Sequence, residues 1–136
     1  MKADCFFKYT ELTEAIISAF YTVYNILGYG FLEKVYENAL LLELRGLNLT
    51  CESQVPLKVA YKGQIVGDYF ADIIVENKVL IEVKAAEEIC PEHEAQILNY
   101  LKATDIEVGL ILNFGPRAAV RRKAFDNSRK SGIVSA

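Results

Sequence analysis

The sequence predicts a mixed α/β (α+β) fold in which a mixed four-stranded sheet lies between helices, in the order α-α-β-β-β-α-β-α. Three observations carry this. Apolar residues recur at helical spacing in the first third and then switch to strand-like alternation. Two turn signals, Lys62-Gly63 and Glu76-Asn77-Lys78, cut the alternating stretch into three strands, an antiparallel meander. Val108-Gly109-Leu110-Ile111-Leu112 is a short, wholly apolar run, as a strand buried on both faces requires, and a helix before it supplies a β-α-β crossover.

Taken in order, Thr10 begins the first helix, with Glu11 and Glu14 in its opening turn where acids suit the helix dipole. Leu12, Ile16, Ala19, Val23 and Ile26 form its stripe, and Gly28-Tyr29-Gly30 breaks it. The second helix runs from about Phe31 to Arg45, with Leu32, Val35, Tyr36, Ala39 and Leu42 as packing residues, and ends at Gly46 and Asn48. Strands follow over Val55–Tyr61, Ile65–Val75 and Val79–Ala85, with Pro56 suited to a strand start or edge. Pro91 opens a helix covering His93 to Ala103, the buried strand comes next, and Gly115-Pro116 starts a last helix. No repeat or linker interrupts the 136 residues, so they read as one domain, 1–136.

Composition narrows the class. Half the residues are apolar and a quarter charged, as in an ordinary globular protein. Cys5, Cys51 and Cys90 are odd in number and without metal-ligand spacing, which argues against disulfides and structural zinc and for a reducing, cytoplasmic setting. Ala15 to Leu32 carries no charge, but its polar residues and glycines mark a buried helix rather than a membrane span. A net charge of −3 disfavours nonspecific DNA binding by the whole surface. The basic residues are uneven, however: Arg117, Arg121, Arg122, Lys123, Arg129 and Lys130 crowd the C-terminal end. On charge alone this is a solvated helix face; beside a phosphodiester-cleaving centre, Arg117, Arg121, Arg122 and Lys123 become candidate nucleic-acid contacts.

The segment Asp72-Ile73-Ile74-Val75-Glu76-Asn77-Lys78-Val79-Leu80-Ile81-Glu82-Val83-Lys84 holds the chemistry. Asp72 lies five residues before Asn77 and Glu82 five after it, so a hairpin over Glu76-Asn77-Lys78 sets the two carboxylates opposite each other. Strand alternation puts Lys84 on the same face as Glu82 and leaves Ala71, Ile73, Val75, Val79, Ile81 and Val83 on the other. Adjacent carboxylates repel, and a hard divalent cation held by oxygen ligands offsets that repulsion. An alternating strand with one solvated face is the bland alternative.

An Asp on the second strand followed by Glu-Xaa-Lys on the third resembles the PD-(D/E)XK nuclease superfamily, whose core shares the α-β-β-β-α-β order. Gly30-Phe31-Leu32-Glu33-Lys34-Val35-Tyr36 reads GxxExxY, and the chain looks like a GxxExxY-type member. Tyr61-Lys62-Gly63, Gln96 to Thr104 and Asn113-Phe114-Gly115 extend the resemblance over roughly residues 10 to 125. It implies a restriction-endonuclease-like core and a metal-dependent nuclease acting on DNA or RNA. Asp72 and Glu82, with the Val83 carbonyl, would hold Mg²⁺ or Mn²⁺, and Lys84 would orient the attacking water or stabilise developing charge. Glu33 matches the helix carboxylate that often completes such a metal site; the alternative is an acid in the first turn of a helix capped by Gly30. Gln96 and Tyr100 share a helix face and resemble the QxxxY element near the cleft of exonuclease-like branches, against the alternative of a plain surface pair. His93, the sole histidine, reads as a surface residue between two acids, and Tyr36 as a packing residue with a polar tip.

Two further readings stay open. One is a nuclease-fold module that binds nucleic acid or a protein partner without cutting. The other is a homo-oligomer built on the Tyr-rich first helix pair, which an exposed apolar patch there would favour.

Overall fold

The computed structural model describes residues 9–130; Cys5 lies outside the described residues. Helices α1 (Thr10–Leu27) and α2 (Glu33–Gly46) precede a meander of β1 (Cys51–Tyr61), β2 (Gln64–Val75) and β3 (Val79–Lys84). Helix α3 (Pro91–Lys102), β4 (Val108–Phe114), β5 (Ala118–Ala124) and a 3-10 turn (Asn127–Arg129) follow. The strands form one sheet in the order β1-β2-β3-β4-β5, antiparallel except for the β3–β4 pair. Among the described residues no helix is long and apolar enough to cross a membrane.

The mixed fold class stands, but the sheet has five strands, not four. The segment after Gly115-Pro116 is a strand, pairing Val108↔Ala124 through Phe114↔Ala118. Its Ala, Arg and Lys residues favour helix weakly, and pairing along the open edge of β4 outweighs that preference.

Each sheet face has its own core. On one, Ile73, Val75, Val79, Ile81, Leu110 and Leu112 pack under α1 and α2; on the other, Ile74, Leu80 and Ile111 pack under Ile97 and Leu101 of α3. Ala71 leaves the predicted row and joins the α3 side, because Gln54, at φ 51°, drops out of the β1–β2 ladder opposite Asp72. The α2 stripe is also rephased: Tyr36, Glu37, Leu40, Leu41 and Leu44 are buried, whereas Leu32, Val35 and Leu42 are exposed. On α1, Ile26 is likewise exposed.

Tyr36 ties the helix pair together. Its hydroxyl donates to the Gly28 carbonyl at 2.7 Å and accepts from the Phe31 N–H at 3.1 Å, while its ring stacks on Phe114 at 4.5 Å. The turn it closes needs Gly28 and Gly30 at φ 68° and 115°, which L side chains rarely adopt.

Candidate active site

The β2–β3 turn sets the register on which the site depends. Glu76 and Asn77 both lie at φ 54°, the left-handed pair that a tight hairpin needs to match strand twist. The Lys78 N–H donates to the Val75 carbonyl, and Glu76 is tied on both sides to Thr50. Pairing then runs from Val75↔Val79 to Ile73↔Ile81 and stops.

At the next position side chains take over the ladder. The Val83 N–H donates to Asp72 Oδ2 at 2.8 Å, and the Asp72 N–H donates to Glu82 Oε2 at 3.1 Å. The strands fork there, so groups from both faces of the sheet meet. From the α3 face, Lys84 Nζ donates to Gln96 Oε1 at 3.1 Å, and Gln96 Nε2 donates to the Tyr100 hydroxyl at 3.1 Å. From the other, Gln54 Nε2 donates to Glu37 Oε1 at 2.9 Å and to Asp72 Oδ1 at 3.4 Å, and Lys34 pairs with Glu37 Oε2 at 3.0 Å. The structure thus forms two hydrogen-bonded groups, Asp72 with Glu82 and Lys84 with Gln96 and Tyr100, which feel each other through their charges.

Electrostatics follow from burial. Glu82 is only 4% exposed, and desolvation, reinforced by the Asp72 carboxylate, pushes its pKa up to about 8. Desolvation also raises Asp72, against the Val83 N–H that favours its ionised form. Burial and the Glu82 carboxylate raise Tyr100. An environment that resists two negative charges has use for a cation.

One oxygen of each carboxylate accepts from a backbone N–H, so the oxygens on hand for an ion are Glu82 Oε1 and Asp72 Oδ1, the latter shared with the long contact from Gln54. Among the described residues no group of three His, Cys, Asp or Glu side chains is placed to hold a metal. Two carboxylates and a carbonyl suit Mg²⁺, which keeps several waters and takes few protein ligands.

Glu33 is the first residue of α2, after Leu32 as N-cap, so Gly30 does not cap this helix. Its side chain is exposed, and its charge contributes least among the groups that raise Glu82. His93 caps α3, its Nδ1 accepting from the Cys90 N–H. The centre of the basic run, Arg121 to Lys123, lies on β5 rather than on a helix, and Arg129 closes the 3-10 turn that follows. Arg121 and Lys123 share the α3 face and Arg122 the opposite one, as their partners Ile111, Gly109 and Leu110 require. Lys123 pairs with Glu94, and Arg117 sits in the β4–β5 turn at the sheet end where Lys84 emerges.

Sequence reasoning misses Glu37 and Gln54. The one signal for them was Glu37 itself, spaced three, four and seven residues before Leu40, Leu41 and Leu44 on what proves to be the buried stripe. Asn113 enters the sequence reading only as part of a motif. It is fully buried, and its amide clamps Ala86 with two 2.9 Å hydrogen bonds, fixing the loop that follows Lys84. Gly115 permits that approach, because a Cβ there would lie 1.8 Å from the Ala86 carbonyl oxygen.

The sequence model of the PD-(D/E)XK nuclease superfamily matches residues 10–124, the whole span from α1 to β5. The chain belongs to this superfamily. The crystal structure of SSO0001 is similar to this PD-(D/E)XK chain at a TM-score of 0.50 and 22% identity, and at that identity the likeness shows the fold alone. The match covers 86% of this chain and 59% of that one, so the chain spans a little over half of SSO0001. No curated protein matches the sequence.

Proposed function

We propose that this PD-(D/E)XK chain is a divalent-metal-dependent nuclease that hydrolyses phosphodiester bonds in DNA or RNA, and that it is of the GxxExxY type. The observation that carries the reading is the β2–β3 fork, where a buried carboxylate, Glu82, and a half-buried one, Asp72, meet near an ammonium held by Gln96. A fold alone has no use for this costly arrangement. In the proposed site Asp72, Glu82 and the Val83 carbonyl hold Mg²⁺ or Mn²⁺, with Glu33 at the rim reaching it through water. The bound ion supplies polarisation of the phosphate and acidification of a water. Lys84 presents its ammonium to the attacking water or to a phosphate oxygen, while Gln96 and Tyr100 keep its long side chain in one position. Gln54 separates the Glu37 and Asp72 carboxylates so that Asp72 keeps its orientation.

The β5 placement refines the basic contacts. Arg117 and Arg121 are the members proposed to touch phosphates flanking the cut, since they lie at the rim shared with Lys84 and on the α3 face. The free thiols of Cys51 and Cys90 favour a reducing, cytoplasmic location.

The test is cleavage of a mixed DNA and RNA panel with Mg²⁺ or Mn²⁺. Lys84→Ala should abolish turnover while leaving the fold intact; cleavage at the parent rate by that variant would defeat the assignment.

A second reading is favoured by one observation. Ile26, Tyr29, Phe31, Leu32 and Val35 form an exposed apolar tip on the α1–α2 pair, beside Glu33. A protein partner or a second copy seated there would bear on substrate selectivity at the neighbouring site. Light scattering with Leu32→Glu tests it.

A further inference from the structure

A groove of about 580 Å³ runs between the outer flank of α3 and the far end of the β1–β2 hairpin. Its hairpin wall includes Val59, Val66 and Tyr69; its helix wall includes Ala95, Asn99 and Tyr100. Glu92 is the one charged side chain among the residues that line it, so a polyanionic backbone has no partner inside. Tyr69 is 47% exposed, and its ring lies 5.7 Å from that of Tyr100 at 48°. Gly67 leaves room for this ring, because a Cβ there would touch Tyr69 Cε2 at 3.0 Å.

The groove is continuous with the candidate active site. Gln96 lines it and also accepts the hydrogen bond from Lys84, and Tyr100 lines it and accepts from Gln96. A phosphate held at Lys84 therefore has one neighbouring nucleoside at the mouth of the groove. The lining suits a planar group with apolar faces and polar edges, offering an exposed phenol ring, small aliphatic walls and the Asn99 amide. The volume falls in the usual range for pockets that enclose one small organic group, roughly 300–1,000 Å³. A base can enter only if it is not paired, because a paired base brings its partner strand with it.

We propose that this groove is a nucleobase subsite, so that the substrate class is single-stranded or frayed nucleic acid with an unpaired nucleotide beside the bond to be cut. This rests on the nuclease reading above and adds the substrate class to it. Tyr69 stacks on the base, as aromatic side chains do in single-strand recognition. Tyr69 is thus a specificity residue rather than part of the metal machinery.

Two variants test it. Tyr69→Ala removes the stacking ring, and Ala95→Trp fills the groove from the helix side; both positions are exposed, and circular dichroism checks that each variant folds. Binding of short labelled oligonucleotides without divalent metal should favour single strands over blunt duplexes of the same sequence. Each variant should weaken single-strand binding by about tenfold, within what one base–aromatic stack contributes, and leave duplex binding unchanged. With Mg²⁺ or Mn²⁺ present, KM for single strands should rise in both while kcat stays near the parent value. Equal parental binding of single strands and duplexes, or parental single-strand affinity in either variant, overturns the subsite. Cleavage judges the nuclease reading separately. If the parent cuts nothing, that reading fails and the binding comparison still decides the groove. If Lys84→Ala loses cleavage while both groove variants act as the parent does, the groove fails and the nuclease stands.

Discussion

Glu82 bears the largest electrostatic burden of any residue in the site. Its pKa of about 8 in the folded chain stands above the ordinary 4.5, so between these pH values the native state keeps a proton that the unfolded chain has released. The stability associated with this proton is fully present below about pH 4.5, declines as pH rises, and is gone above about pH 8. In chelator-containing buffer, Glu82→Gln should therefore match the parent near pH 4 and exceed it by a few kcal/mol at pH 8 or above. Thermal melts across that range check this, and a variant no more stable than the parent at pH 8 would show that Glu82 is not strained by its charge. Asp72, also raised by burial, works in the same direction. Asp72, Glu82 and Lys84 were legible in the sequence because a turn centre and strand alternation fix their relative positions with no knowledge of the rest of the fold. Glu37 and Gln54 were not. Glu37 depends on the rotational phase of α2, and Gln54 depends on a left-handed residue inside a strand, which its side chain does not signal.

The same contrast holds for whole elements. The turns of the meander, α3 and β4 stand where turn residues and apolar period put them, since those signals are local, while β1 starts at Cys51, four residues before the predicted Val55. The last element escaped because Gly115-Pro116 is an acceptable helix start, and only the free edge of β4 selects a strand instead. The end of β4 also carries a duty toward the site. Asn113, next to Lys84 across the β3–β4 ladder, holds both polar groups of Ala86. Asn113→Ala should cost about 1–3 kcal/mol, for the loss of two hydrogen bonds to half-buried backbone groups. It should also lower kcat more than it raises KM, because the chain leaving Lys84 loses its anchor. Denaturant unfolding and steady-state kinetics measure the two effects; an unchanged midpoint would mean that water replaces the amide.

Across the whole molecule, charge is sorted by face. The formal net charge is −3, yet the β5 edge is strongly basic. If substrate lies along the α3 face, Arg117→Ala with Arg121→Ala should reduce the slope of log affinity against log salt by about 0.7–0.9 for each phosphate left without its arginine. Arg122→Ala, on the α1–α2 face, should leave the slope unchanged. Titrations at several salt concentrations make the comparison, and equal slopes in all three proteins would reduce the run to a solvated edge.

The position of that run has a consequence apart from substrate. β5 ends the sheet, and an unprotected terminal strand offers its free amides and carbonyls to any other extended chain. Arg121, Arg122 and Lys123 stand in succession along it, giving both faces of the border a positive charge. Two copies approaching border to border would align like charges, so the strand repels its own image and blunts one route to fibrous self-association. Replacing the trio by threonines would keep the strand and remove this guard.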